Sequence, residues 1–169
     1  HNTGQAGGTV DADMDGPEAW DITLGDPSIK VAIFDTGVQQ NHPDINQLPG
    51  IDVTSEAPGT GGGPVNDCDN HGTAVAGCVS ATINNNLGTV GIAPNCKSVA
   101  VRFAISNASC DSGWTGESAW TVSALAFAES IGAKITNNSN SYGGLQSAAI
   151  DTKYAQTRDN GMVHFASAH

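Results

Sequence analysis

Ile29-Lys30-Val31-Ala32-Ile33-Phe34-Asp35-Thr36-Gly37 is the stretch on which the fold turns. It opens as a compact, β-branched run and stops where Asp-Thr-Gly brings turn chemistry. Such a run suits a strand buried on both faces, as in a parallel sheet. Ser98-Val99-Ala100-Val101-Arg102-Phe103 and Lys134-Ile135-Thr136-Asn137 are two more runs of this kind. Between them, residues 117–131 carry apolar side chains at helical spacing, which predicts a βαβ unit with a right-handed crossover. Ala148 to Asp159 reads as a further helix ended by Asn160-Gly161, and Met162-Val163-His164-Phe165-Ala166 as a further strand. A short helix is expected over residues 16–22, where Pro17 and Glu18 occupy a first turn. Residues 73–82 form a small-residue apolar run, predicted as a buried helix with Asp69-Asn70-His71 at its cap. The segment Ala57-Pro58-Gly59-Thr60-Gly61-Gly62-Gly63-Pro64 is expected to be an exposed loop and not a domain boundary. The predicted fold class is α/β: a doubly wound, mostly parallel sheet with helices on both faces, within one domain.

Composition narrows the function classes. A chain of 169 residues can bury about 70% of the surface it exposes when unfolded, enough for one substantial core. Six basic residues, scattered along the chain, face seventeen acidic ones for a net charge of −11, so nucleic acid and anionic membranes are poor partners. No apolar run approaches the roughly 20 residues that span a bilayer. The start at His1, without methionine or a basic leader, reads as a mature, processed or trimmed chain. Cys68, Cys78, Cys96 and Cys110 contain no Cys-x-x-Cys pair, which favours disulfides in an oxidising compartment over zinc. Three pairings are open, and sequence neighbourhood mildly favours Cys68 with Cys78 and Cys96 with Cys110. His1, His42, His164 and His169 have no spacing that suggests a metal constellation.

The carboxyl ends of strands in an open α/β sheet form the crevice where ligands bind, and Asp35 ends the first strong strand. His71 opens a helix further along. If that helix starts beside the same strand end, Asp35 accepts a hydrogen bond from one imidazole nitrogen and leaves the other free as a base. Each residue alone has an ordinary explanation, a turn aspartate or a cap neighbour. Their local contexts say more: Val31-Ala32-Ile33-Phe34-Asp35-Thr36-Gly37-Val38, His42-Pro43-Asp44-Ile45, and Asn70-His71-Gly72-Thr73-Ala74-Val75-Ala76-Gly77. These blocks resemble those of the subtilisin-like serine proteases, the subtilases. The resemblance continues through Asn84-Asn85-Asn86-Leu87-Gly88-Thr89-Val90-Gly91-Ile92-Ala93-Pro94, Ala100-Val101-Arg102 and Ser141-Tyr142-Gly143-Gly144, covering the chain from about residue 16 to its end.

The resemblance implies a catalytic pair in which Asp35 orients His71 and His71 exchanges a proton with a serine. The order Asp, His, Ser belongs to the family and does not follow from the spacing. No Gly-Thr-Ser-x-Ala segment occurs here, and Ser141 and Ser167 lack the context of a nucleophile. Residues 1–169 are therefore expected to be the N-terminal part of a single subtilisin-like peptidase domain. A nicked enzyme, a shortened polypeptide or an inactive relative would each account for this. The expected partners are polypeptide substrates and the complementary C-terminal fragment, and the expected location is extracellular. By the same resemblance, Gly113, Trp114, Ser141, Tyr142 and Gly143 bind substrate. A structural Ca²⁺ would take the Asp44 carboxylate, the Asn85 side-chain oxygen, backbone oxygens of Ile83, Leu87 and Thr89, and Gln5. The stretch between His71 and Pro94 is one residue longer than in the commonest members.

Two rival readings stand beside this one. Phe34-Asp35-Thr36-Gly37 also resembles the Asp loop of haloacid-dehalogenase-like phosphoryl-transfer enzymes, but Gly37 and Val38 supply no second acid or lysine, and the histidine block goes unexplained. A non-catalytic, calcium-binding pseudoprotease is the other alternative, decided by sequence beyond residue 169.

Overall fold

The computed structural model describes residues 4, 7–110, 113–141 and 147–168. In chain order the elements are α1 (Gly16–Trp20), β1 (Lys30–Asp35), β2 (Gln47–Asp52), α2 (His71–Ser80), β3 (Lys97–Arg102), β4 (Ala104–Ser106), β5 (Trp114–Gly116), α3 (Ser118–Ser130), β6 (Ile135–Asn138), α4 (Ala148–Asp159) and β7 (Val163–Ala166). Five strands form one parallel sheet in the order β2-β3-β1-β6-β7, and β4 pairs with β5 antiparallel.

The unbroken apolar run of β1 has a direct cause in this topology. Val31 and Ile33 face a cluster containing Val38, Ile45, Ala76 and Ala100, covered by α2. Ala32 and Phe34 point the other way, into Val101, Phe103, Leu125, Ala128 and Met162, covered by α3 with Tyr154 of α4 alongside. Alternate residues of a strand serve opposite faces, so helices on both sides require apolar residues throughout. Fully burying a side chain such as Ile33 or Phe34 contributes about 1.5–3 kcal/mol. The α/β, doubly wound architecture is the one anticipated.

The details depart from expectation in four places. β2 was not anticipated because Pro49-Gly50 interrupts it. Proline is tolerated there since β2 is an edge strand. Its register against β3 shifts between Leu48 and Ile51, and a Cβ on Gly50 would lie 2.7 Å from the Ala100 carbonyl carbon. The β4–β5 hairpin was also missed, its strands being only three residues each. α2 begins at His71, two residues earlier than the apolar pattern indicates, and its N-cap Asn70 makes no side-chain cap hydrogen bond.

The cysteines pair differently from the favoured arrangement. Cys68 bonds to Cys110, with Cα atoms 4.9 Å apart, while Cys78 is free and exposed and Cys96 free and buried. Sequence proximity misleads here because regular structure intervenes. Cys78 is carried away from Cys68 along α2, at about 1.5 Å per residue. Cys96 precedes β3 and Cys110 follows it, so a strand of about 20 Å separates the two ends.

Candidate active site

β1 delivers Asp35 to the carboxyl edge of the sheet, and α2 delivers His71 from its first turn to the same place. His71 Nδ1 lies 2.8 Å from Asp35 Oδ2. The other carboxylate oxygen accepts the Thr36 amide at 2.8 Å and the Thr36 hydroxyl at 3.3 Å. Asp35 is 3% exposed, whereas the His71 side chain is 56% exposed. The pair thus has a buried anchor and an open working end. Burial pushes the Asp35 carboxyl above its ordinary value, an effect that the Thr36 amide and the neighbouring imidazole only partly offset. When Asp35 is ionised it accepts from Nδ1–H, and His71 Nε2 retains its lone pair.

Such closeness requires glycine at position 72. A Cβ there would come 2.7 Å from the Asp35 Cβ and nearer still to the Gly37 carbonyl oxygen. Gly37, at φ 135°, in turn lies against the backbone of Gly63 in the glycine-rich loop.

A cleft of about 400 Å³ opens beside the pair. Of the residues expected to bind substrate, Gly113, Trp114 and Ser141 line it together with Asp35 and His71. Trp114 packs on Phe103, with ring centroids 5.9 Å apart, so it is a fixed wall. Ser106, Asn140 and the Cys68–Cys110 disulfide also line the cleft and were not anticipated. Tyr142, Gly143 and Gln5 lie outside the described residues. A larger hollow of about 710 Å³ lies against α2, bordered by Asp44 and Thr89, but it contains neither Asp35 nor His71.

The expected metal-site residues converge in part. Asp44 is buried, and its carboxylate accepts the Asn85 side-chain amide at 2.7 Å and the Thr89 backbone amide at 3.0 Å. Leu87 N–H donates to Asn85 Oδ1 at 3.0 Å. The loop achieves this through positive φ at Asn84, Asn86 and Gly88. The Asn85 and Thr89 hydrogen bonds outweigh desolvation and hold the Asp44 carboxyl below its usual range. Among the described residues no group of three or more His, Cys, Asp or Glu side chains could hold a metal. Oxygen donors of this kind, a carboxylate and a side-chain amide oxygen, suit Ca²⁺ in type, but here Asn85 turns its NH2 to Asp44 and its Oδ1 accepts from Leu87 N–H.

Sequence reading also passed over Arg102, which is fully buried and paired with Asp52, Glu56 and Asp69. Burial raises the Asp69 carboxyl, but the Val65 amide and the Arg102 charge outweigh it and leave Asp69 below its usual value. No local pattern signals this cluster, since its members come from three separate segments.

Known proteins resemble this chain in sequence and in fold. The chain is 32% identical to subtilisin E of Bacillus subtilis (strain 168) over 142 residues, 83% of this chain and 34% of that protein. It is 37% identical to thermitase of Thermoactinomyces vulgaris over 125 residues, 70% of this chain and 39% of that protein. Its fold matches MycP1, crystallised with the N-terminal propeptide removed, at a TM-score of 0.68 and 24% identity, covering 89% of this chain and 46% of that one. The chain thus spans less than half the length of these proteins. The profile of the subtilase family matches residues 26–168, and the chain belongs to that family.

Proposed function

We propose that the chain supplies the aspartate and histidine of an Asp-His-Ser triad in a secreted serine endopeptidase, as the N-terminal part of one peptidase domain whose serine lies beyond residue 169. The observation that carries this reading is the 2.8 Å contact between Asp35 and His71 at the mouth of the cleft. Family membership supports it. In the reaction His71 Nε2 takes the proton of the serine hydroxyl as its oxygen attacks the peptide carbonyl, and Asp35 stabilises the imidazolium. That proton then passes to the departing amine. Water, deprotonated by the same nitrogen, releases the acyl group and restores the serine. Polypeptide substrate enters extended, with the Gly113-Trp114 and Ser141 segments as walls, and Tyr142 and Gly143 are assigned to substrate binding by the family resemblance alone.

The remaining assignments follow from the same reading. The Cys68–Cys110 disulfide supports an oxidising, extracellular location. Among the described residues no helix is long and apolar enough to cross a membrane. Asp44, Asn85 and backbone oxygens of Ile83, Leu87 and Thr89, with Gln5, would hold a Ca²⁺ whose contribution is structural. The complementary C-terminal part is the natural partner of β7, which is paired on one side and leaves Val163 and Phe165 exposed.

The test is the complete polypeptide. It is expected to hydrolyse peptide amides and to be labelled by a serine-directed phosphonate, and losing the serine is expected to lower turnover by about 10⁶. A folded, complete polypeptide that is neither active nor labelled would favour the pseudoprotease reading instead.

A further inference from the structure

Arg102 is a fully buried side chain that the triad chemistry leaves unused. Its position in β3 is opposite Asp35 in the register with β1. The guanidinium directs its donors to three segments at once. Nε donates to the carbonyl of Thr36, the residue after Asp35, at 2.7 Å. Nη1 donates to Asp52 Oδ2 at 2.8 Å and to Thr54 Oγ1 at 3.0 Å. Nη2 donates to Glu56 and, at 3.1 Å, to Asp69 Oδ2. That same Asp69 oxygen accepts the amides of Val65 at 2.9 Å and Asn66 at 3.3 Å, fixing the loop that runs into His71. One planar fork therefore joins the backbone beside the aspartate to the segment that launches the histidine helix.

Stability alone is a weak reason for such an arrangement, because well-packed apolar side chains commonly replace a buried ion cluster without loss. Geometry is a better one. The Asp35–His71 contact depends on two elements meeting at their ends, and α2 enters without a side-chain cap. Displacement of about 1 Å at a reacting group can cost about 10²-fold in rate. We propose that Arg102 is a positioning residue for the Asp35–His71 pair, setting the separation of the β1 end from the start of α2 through Thr36 and Asp69. This rests on the proposed protease reading, and it predicts that the arginine fork matters and not its charge alone.

The experiment uses Arg102→Lys and Asp69→Asn in the complete polypeptide, with active sites titrated so that rates refer to folded enzyme. Lysine keeps the charge but cannot reach Thr36 and Asp69 together. Asp69→Asn keeps an oxygen for the loop amides and removes the charge that pairs with arginine, also altering the contact with Ser106, and it guards against a misfolded Arg102 variant. Both are expected to lower kcat by about 10- to 100-fold with KM within about twofold. Lys153→Met, which removes the Lys153–Glu129 pair between α4 and α3, neither of which lines the cleft, is expected to leave kcat unchanged. The second readout is the strongly deshielded proton NMR signal of the hydrogen-bonded His71 Nδ1–H, expected to weaken in Arg102→Lys and Asp69→Asn and to persist in Lys153→Met. Unchanged kcat and an unchanged signal in Arg102→Lys would overturn the proposal, as would an equal loss in Lys153→Met. If the complete polypeptide hydrolyses nothing, the protease reading falls separately, and the proton signal still decides whether Arg102 sets the pair.

Discussion

Burial leaves the Asp35 carboxyl above its ordinary pKa of 3.8, because hydrogen bonds from Thr36 and His71 return only part of what is lost with water. The folded state therefore binds this proton more tightly than the unfolded chain. The resulting stabilisation is complete below pH 3.8 and is lost as pH rises through the raised folded value, so the ionised carboxylate works against folding at neutral pH. Asp35→Asn is expected to resist denaturant better than the parent at pH 7 and equally at pH below 3.8, while amide hydrolysis falls by about 10⁴. Equal denaturation midpoints at pH 7 would contradict this account of the site. Gly72 constrains the same contact sterically. Gly72→Ala places a methyl group against the Asp35 side chain and the Gly37 carbonyl, and is expected to cost about 1–3 kcal/mol in stability. It is also expected to lower kcat, since relief of the clash separates α2 from β1, and thermal melting with steady-state kinetics measures both.

At the level of elements, α4, β6 and β7 meet at His164. Its Nδ1 lies 2.8 Å from the Thr136 hydroxyl and its Nε2 lies 3.0 Å from the Thr157 hydroxyl, with Tyr154 edge-on to the ring. Burial, and then the charge of Arg158, lower its pKa below 6.5. The neutral imidazole thus favours folding at pH above 6.5, and this contribution disappears as pH falls through the lowered folded value. His164→Gln is expected to flatten the acid side of the stability profile, measured by urea unfolding from pH 8 to 5. The loop over Asp44 gives a second test: EGTA is expected to lower the melting temperature, an ion present at 100 times its dissociation constant contributing about 2.7 kcal/mol. An unchanged temperature would argue against the ion. Elements differ in how legible they were for physical reasons. β1 and β3 are buried along their length and carry apolar runs that announce them, and α3 buries one face whose apolar residues recur at helical spacing. β2 depends on an edge position that lets it keep Pro49 and on the Gly50 approach to Ala100, neither of which is local information. Asp35 and His71 were recognisable from their neighbours, whereas the Arg102 cluster exists only once β2, β3 and the loop before α2 are assembled.

For the molecule as a whole, the Cys68–Cys110 bond closes a segment with a sequence separation of 42 and ties the loop before α2 to the β4–β5 hairpin across the cleft. Constraining the unfolded chain in this way contributes about 4 kcal/mol. Reduction is therefore expected to lower the denaturation midpoint, read by urea unfolding with and without dithiothreitol, and a midpoint unmoved by reduction would mean the cross-link adds nothing. The strand order carries a different consequence, for synthesis. β1 lies at the centre of the sheet, but its neighbours are Lys97–Arg102 and Ile135–Asn138, both far downstream. A ribosome adding about 5–20 residues per second releases this most apolar strand on the order of ten seconds before its second neighbour exists. During that interval Val31-Ala32-Ile33-Phe34 has no native place to hide, and a nascent chain of this topology is most vulnerable to sticking to others just after its most important strand has been made.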